Sequence, residues 1–162
     1  MIAVVALVGC GKEDDANTGV VKPNLPSPKA APEKLIADPI VEKAIRKYLK
    51  KPKGELTKAD LEKVTKLFFV GVSRLTDVKG LENLTQLKEL YLFENQLTDV
   101  KGLERLTQLK SLGLSSNELT NVKGLENLTE LTLLSLFNNP DLTKAQIDQL
   151  QKALPKCKIN WP

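Results

Sequence analysis

Two cysteines, no histidine and a few acidic side chains at repeating spacing bound the chemistry open to this 162-residue chain. A cysteine or serine nucleophile needs a neighbouring base to take its proton, and histidine, the commonest such base, is absent. Cys157 alternates with Ile159 and Trp161 in the pattern of an apolar strand, where a lone thiol packs as a small hydrophobe. Asp77, Asp99 and Asn121 share one repeating position, and with an amide among them they read as turn-capping residues, not as paired acids for catalysis. No metal-ligand spacing, phosphate loop or nucleophile motif occurs. The sequence therefore offers no catalytic residue, no metal, no cofactor and no small-molecule substrate. What remains is aromatic: Phe68, Tyr91, Phe93 and Phe137, with Glu89 and Glu94 beside the middle pair. Their chemistry is non-covalent recognition, in which rings supply affinity and rim charges supply orientation.

A repeat positions these rings. Leu87, Leu109 and Leu131 open successive copies of Leu-x-x-Leu-x-Leu-x-x-Asn, and the period is 22 residues. A period in the twenties with this spacing is the signature of a leucine-rich repeat, one short strand and one return per coil. Leu90 and Leu92 alternate with Glu89, Tyr91 and Phe93, as a half-buried strand requires, and Leu97, Val100, Leu103 and Leu106 bring the chain back over the same core. Asn95, Asn117 and Asn139 fall where the chain turns inward, and each side chain has a donor and an acceptor for backbone groups left unpaired there. Gly102 and Gly124 permit a tight bend in the return. One coil cannot bury its own face, so stability comes from stacking. The chain reads as α/β, a right-handed leucine-rich repeat solenoid of about four coils.

In this repeat the third, fifth and seventh residues point away from the core, onto a concave sheet face. The third positions are Lys66, Glu89, Ser111 and Leu133; the fifth are Phe68, Tyr91, Gly113 and Ser135; the seventh are Val70, Phe93, Ser115 and Phe137. Exposed apolar groups with charge at their edge mark a binding surface. The expected partner-binding set is Phe68, Val70, Glu89, Tyr91, Phe93, Glu94, Leu133 and Phe137, with Gly113 and Ser115 forming a shallow trough between aromatic walls. The other reading is that cross-strand aromatics only stabilise a short sheet, or that an N-terminal cap covers Phe68 and Val70.

Net charge is +4, with Lys and Glu interspersed through the repeats. Lys79, Lys101 and Lys123 form one column and Glu82, Glu104 and Glu126 another, which suits alternating solvated charges on the far side. This pattern argues against nucleic acid as a partner.

The flanking segments divide the chain further. Residues 1–10 begin with an apolar run, Ile2 to Val8, too short to span a bilayer. They end in Leu7-Val8-Gly9-Cys10, which resembles the lipobox of bacterial lipoprotein signal peptides, in which the Cys is acylated and becomes the mature N-terminus. No Lys or Arg follows Met1 and the apolar run is brief, so either the true start lies upstream or the match is accidental. Residues 11–32 carry Pro23, Pro26, Pro28 and Pro32 among polar residues, the composition of a disordered linker.

Residues 33–63 read as a helical cap. Asp38 caps a first helix with Pro39 at its first position; Ile40, Val41, Ala44, Ile45, Tyr48 and Leu49 share a face; Pro52 and Gly54 end it. Thr57 and Asp60 form a capping box for a second. Repeats fill 64–142, the first coil lacking the Asn around Val72 and Ser73. Residues 143–162 form the closing cap: a helix opened by Thr143 and Gln146, buried through Ile147, Leu150, Ala153 and Leu154, then a strand. The run of helix, Lys-Pro-x-Gly turn and Leu-Thr-x-x-Asp-Leu resembles the N-terminal caps of bacterial internalin-like leucine-rich repeat proteins, and the closing cap resembles theirs. That resemblance, over residues 36–160, implies an adhesin or interaction scaffold. With the lipobox it implies a lipid-anchored protein of the bacterial cell envelope, recognising an unknown protein ligand. A structural envelope role, or inhibition of a partner enzyme, would suit the same fold.

Overall fold

The core is built of leucine in register. A computed structural model describes residues 34–69 and 75–161; Cys10, Val70, Val72, Ser73 and the linker lie outside the described residues. Five parallel strands form one sheet in sequence order: β1 Lys66–Phe68, β2 Glu89–Tyr91, β3 Ser111–Gly113, β4 Leu133–Ser135 and β5 Lys158–Asn160. Leu67, Leu90, Leu112, Leu134 and Ile159 are direct cross-strand partners, and the four leucines are at most 3 % exposed. Each such leucine stabilises the fold by roughly 1.5–3 kcal/mol on full burial. The strands are only three residues long, but bonding continues past them: the Leu92, Leu114 and Leu136 amides donate to the Gly113, Ser135 and Asn160 carbonyls.

The returns after β1, β2 and β3 each carry a single 3-10 turn, at Leu81–Asn83, Leu103–Arg105 and Leu125–Asn127, and the return after β4 is helical. Gly102, just before the second turn, sits at φ +105°, a conformation that side chains strongly disfavour. The glutamate column has a more definite task than solvation. Glu82, Glu104 and Glu126 each accept a hydrogen bond from the Gly amide two residues earlier, at 2.6–2.7 Å, and so cap the turns that follow. Asp77, Asp99 and Asn121 likewise accept from the amides of Lys79, Lys101 and Lys123, the turn-capping role expected of them.

Asn95, Asn117 and Asn139 are 3–7 % exposed and join neighbouring coils. The Asn117 Oδ1 accepts from the Leu97 amide at 3.2 Å, and its Nδ2 donates to the carbonyls of Leu92 and Leu114, each at 2.9 Å. Asn95 makes the same connection to Leu75 and Phe69, and Asn139 to Leu119 and Leu114. Among the described residues, no buried side-chain nitrogen or oxygen is left without a partner.

Both ends are closed. Helix α1 (Pro39–Leu49) starts at Asp38, whose carboxylate accepts from the Ile40 and Val41 amides at 2.7 and 2.9 Å. It ends at Lys50 in the left-handed region (φ 53°), two residues before Pro52. Helix α2 (Lys58–Leu61) carries the Thr57–Asp60 capping box; the Lys51 ammonium beside Asp60 and the Thr57 amide and hydroxyl hold that carboxyl far below the usual carboxylate range. Helix α3 (Lys144–Ala153) carries the Thr143–Gln146 box and buries Ile147 and Leu150. Ala153, the last helical residue, is exposed, contrary to its expected place in the core; the chain leaves helical geometry at Leu154 (φ −118°), and that larger side chain is the one buried. Cys157 is 4 % exposed, and burial pushes its thiol up to about 11.

Replacing Asn117 by Leu should remove the acceptor for one amide and the donors for two inner carbonyls together. Equilibrium urea unfolding should then show a loss on the order of 1–3 kcal/mol or more. A change of a few tenths would mean that these backbone groups find water, and that the side chain is not what joins the coils.

Candidate functional site

The register that aligns the leucines also aligns the residues pointing the other way. Phe68, Tyr91, Gly113, Ser135 and Asn160 form one row across the outer sheet face, and Lys66, Glu89, Ser111, Leu133 and Lys158 form the row beside it. Phe93, Ser115 and Phe137 follow Tyr91, Gly113 and Ser135 by two residues, just past the ends of β2, β3 and β4.

The rings of Phe68 and Tyr91 stack, centroids 5.0 Å apart and planes 11° from parallel. Tyr91 and Phe93 meet at 5.6 Å with a 33° tilt. The Lys66 ammonium lies 5.1 Å from the Phe68 centroid and 2.6 Å from Glu89. The Tyr91 hydroxyl donates to Glu89 at 3.2 Å, with the Ser111 hydroxyl also at 3.2 Å. Hydrogen bonding to Lys66 holds the Glu89 carboxyl below its ordinary value and the ammonium above its own. The result is a continuous ladder of three rings with an ion pair along one edge. Aromatic contacts of this kind contribute about 0.5–1.5 kcal/mol each beyond burial.

The expected trough at Gly113 is absent, because Phe93 fills it. A Cβ at Gly113 would lie 2.3 Å from Cζ and 2.5 Å from Cε1 of Phe93, and 2.9 Å from Cδ1 of Tyr91. Gly113 is buried beneath these rings, so the missing side chain serves as their seat and not as space for a ligand. Tyr91 and Phe93 are half-buried in consequence. Phe68 is 55 % exposed, so the N-terminal cap does not cover it, and Phe137 is 46 % exposed. Leu133 also faces solvent, on the strand that leads to Phe137. Glu89 stands in the ladder; Glu94 is exposed beyond it, at φ 56° in the left-handed region. Lys66 belongs to the cluster although its row alone did not single it out. The signal was there: Lys66 and Glu89 occupy the same repeat position in adjacent coils, which makes them direct cross-strand partners.

Among the described residues, no group of histidine, cysteine, aspartate or glutamate side chains is placed to hold a metal ion. No helix of the described part is long and apolar enough to cross a membrane.

No protein-family model and no curated protein matches the chain. Solved structures do. An internalin from Listeria monocytogenes is 28 % identical with a TM-score of 0.68, over 83 % of this chain and 40 % of its own. Internalin C2 from the same species is 27 % identical with a TM-score of 0.68, over 78 % of this chain and 54 % of its own. A leucine-rich repeat protein of Leptospira interrogans is 30 % identical with a TM-score of 0.57, over 65 % of this chain and 28 % of its own. The fold is thus that of internalin-like leucine-rich repeat proteins of bacteria, and the chain spans about half the length of these neighbours or less.

Gly113→Ala should push the Phe93 ring off its seat and cost about 0.5–1.5 kcal/mol, the size of one aromatic contact. In a Phe93→Ala background most of that cost should vanish, since the new methyl then meets only Tyr91. A double-mutant cycle by denaturant unfolding measures the coupling; additive effects would place the ring elsewhere.

Proposed function

We propose that the outer sheet face is a protein-recognition surface and that the protein works at the bacterial envelope, held there by an acylated Cys10. The ring ladder of Phe68, Tyr91 and Phe93, with Leu133 and Phe137 further along the same face, carries the recognition reading. The fold needs the inner leucines, whereas nothing in a repeat requires a ring at 55 % exposure on the outer row. Exposed, pre-stacked rings lose little conformational freedom on binding and supply large apolar area, as interface hot spots do. The likeness to internalin-like repeat proteins supports the same reading. The anchor reading rests on Leu7-Val8-Gly9-Cys10 and the Pro-containing linker behind it.

Phe68 and Phe137 are the most exposed of these rings, so replacing them disturbs the sheet least. Phe68→Ser with Phe137→Ser should keep the fold by circular dichroism, cost no more than about 0.5–1.5 kcal/mol for the lost Phe68–Tyr91 contact, and weaken capture of a protein ligand on the order of tenfold or more. Lys88→Gln with Lys123→Gln, off this face, should leave capture intact. Equal capture by both variants would exclude the sheet face as the binding surface.

The anchor is tested separately. Expressed in a bacterium with a complete signal sequence, the wild type should take up labelled fatty acid and partition with membranes, and Cys10→Ser should do neither. Acyl labelling that persists in Cys10→Ser, or its absence from wild type, overturns the anchor without touching the recognition reading.

A further inference from the structure

The positive charge of this protein is held in one place. Residues 34–53 contain seven Lys and Arg and two acids, a balance of +5, whereas the whole chain carries +4. The rest of the folded chain, residues 54–162, contains fourteen basic and fourteen acidic residues. The excess therefore lies on α1 and the turn that follows it.

Within that segment the side chains divide by task. Arg46 is committed to structure: it pairs with Glu42 at 2.8 Å and donates to the carbonyls of Lys51 and Gly54. Lys34 pairs with Glu42, and Lys51 with Asp60. Lys43, Lys47, Lys50 and Lys53 are exposed, and none of them takes part in an ion pair among the described residues. Lys43, Lys47 and Lys50 stand at i, i+4 and i+7, which places their side chains along one face of the helix. A shallow groove of about 490 Å³ runs between this face and Pro52, lined by Lys43, Arg46, Lys47 and Lys50 together with Pro39 and Glu42. A basic side chain near a helix C-terminus complements the helix dipole. That accounts for Lys47 or Lys50, but not for three such ammonium groups along one groove.

We infer that the Lys43–Lys47–Lys50 face of the N-terminal cap docks on an anionic lipid surface. Flexible lysines act as mobile point charges, which suits a layer of phosphate headgroups with no fixed geometry. Nucleic acid is the poorer fit. The one arginine of the patch is locked in the fold, and no aromatic ring lines the groove to stack a base. The chain also enters the repeat unit here, at Lys34, which is tied to Glu42 of the same helix. The inference concerns a surface distinct from the sheet face and does not depend on acylation.

The test uses the full chain with Cys10→Ser, so that no acyl chain contributes. Sedimentation is measured with vesicles of phosphatidylcholine alone and of phosphatidylcholine mixed with phosphatidylglycerol. Binding should occur on the anionic vesicles, fall steeply with added salt, and be at least tenfold weaker on neutral ones. Lys43→Gln, Lys47→Gln and Lys50→Gln together should weaken it on the order of a hundredfold, at roughly fivefold per lysine. Lys43→Gln alone should show the single-lysine effect should the triple variant lose its fold by circular dichroism. Lys88→Gln, Lys110→Gln and Lys123→Gln make the same change in net charge elsewhere and should keep binding within about threefold of its starting value. The inference is overturned by no binding to anionic vesicles, by equal binding to neutral ones, or by equal losses in the two triple variants. Tighter binding to a DNA duplex than to the anionic vesicles would overturn it as well.

Discussion

Three buried asparagine side chains hold the coils of this protein to one another, and the alignment of everything else follows from them. A three-residue strand makes too few ladder bonds to fix a 22-residue turn of chain against its neighbour. The Asn side chain supplies the rest. Asn117 accepts from Leu97 and donates to Leu92 of the preceding coil while also donating to Leu114 of its own, so one amide spans two layers. An aspartate could accept but not donate, and a leucine could do neither. In a site this dry, an amide and two carbonyls left without partners would destabilise the fold by more than one further buried leucine could stabilise it.

Once the coils are in register, identical repeat positions become rows, and the rows decide what the surface can be. A ring at the fifth position of one coil necessarily stands beside the fifth position of the next, so Phe68 and Tyr91 stack without further provision. Gly113, next in that row, is what lets Phe93 lie down across the sheet. The rings therefore differ in how deeply they sit. Tyr91 and Phe93 are half-buried and largely serve the sheet, whereas Phe68 and Phe137 leave about half their surface to solvent.

Much of this was legible in the sequence because repetition multiplies weak signals. Leu90 alone is one leucine; Leu90, Leu112 and Leu134 at one spacing define a strand, a face and a register together. Capping was legible for a different reason: Asp38-Pro39, Thr57 with Asp60, and Thr143 with Gln146 act within four residues, where no tertiary knowledge is needed. What escaped depends on which way a side chain leans. Glu104 follows Gly102 by two residues, and only the bend of the chain brings its carboxylate onto that amide. Gly113 reads equally as a gap or as a seat, and the rotamer of Phe93 decides between them. Val70 and Cys10, both part of the sequence reading, lie outside the described residues.

The two surfaces that leave this core differ in the range of the forces they exert. On the sheet face Lys66 is already joined to Glu89, and the exposed contribution is mainly apolar ring, which acts only at contact. On α1 Lys43 and Lys47 take part in no ion pair among the described residues and the rest of the folded chain is close to neutral, so little opposes their field until salt screens it at about 8 Å. A long-range, weakly directional attraction suits the end of the solenoid at which the chain enters. A short-range, shaped contact suits a face built of aligned strands, where the repeat fixes the rings to the spacing of the sheet. The same 22-residue period thus accounts for why recognition would sit on the rows and why the charge excess, which needs no register, sits on the cap outside them.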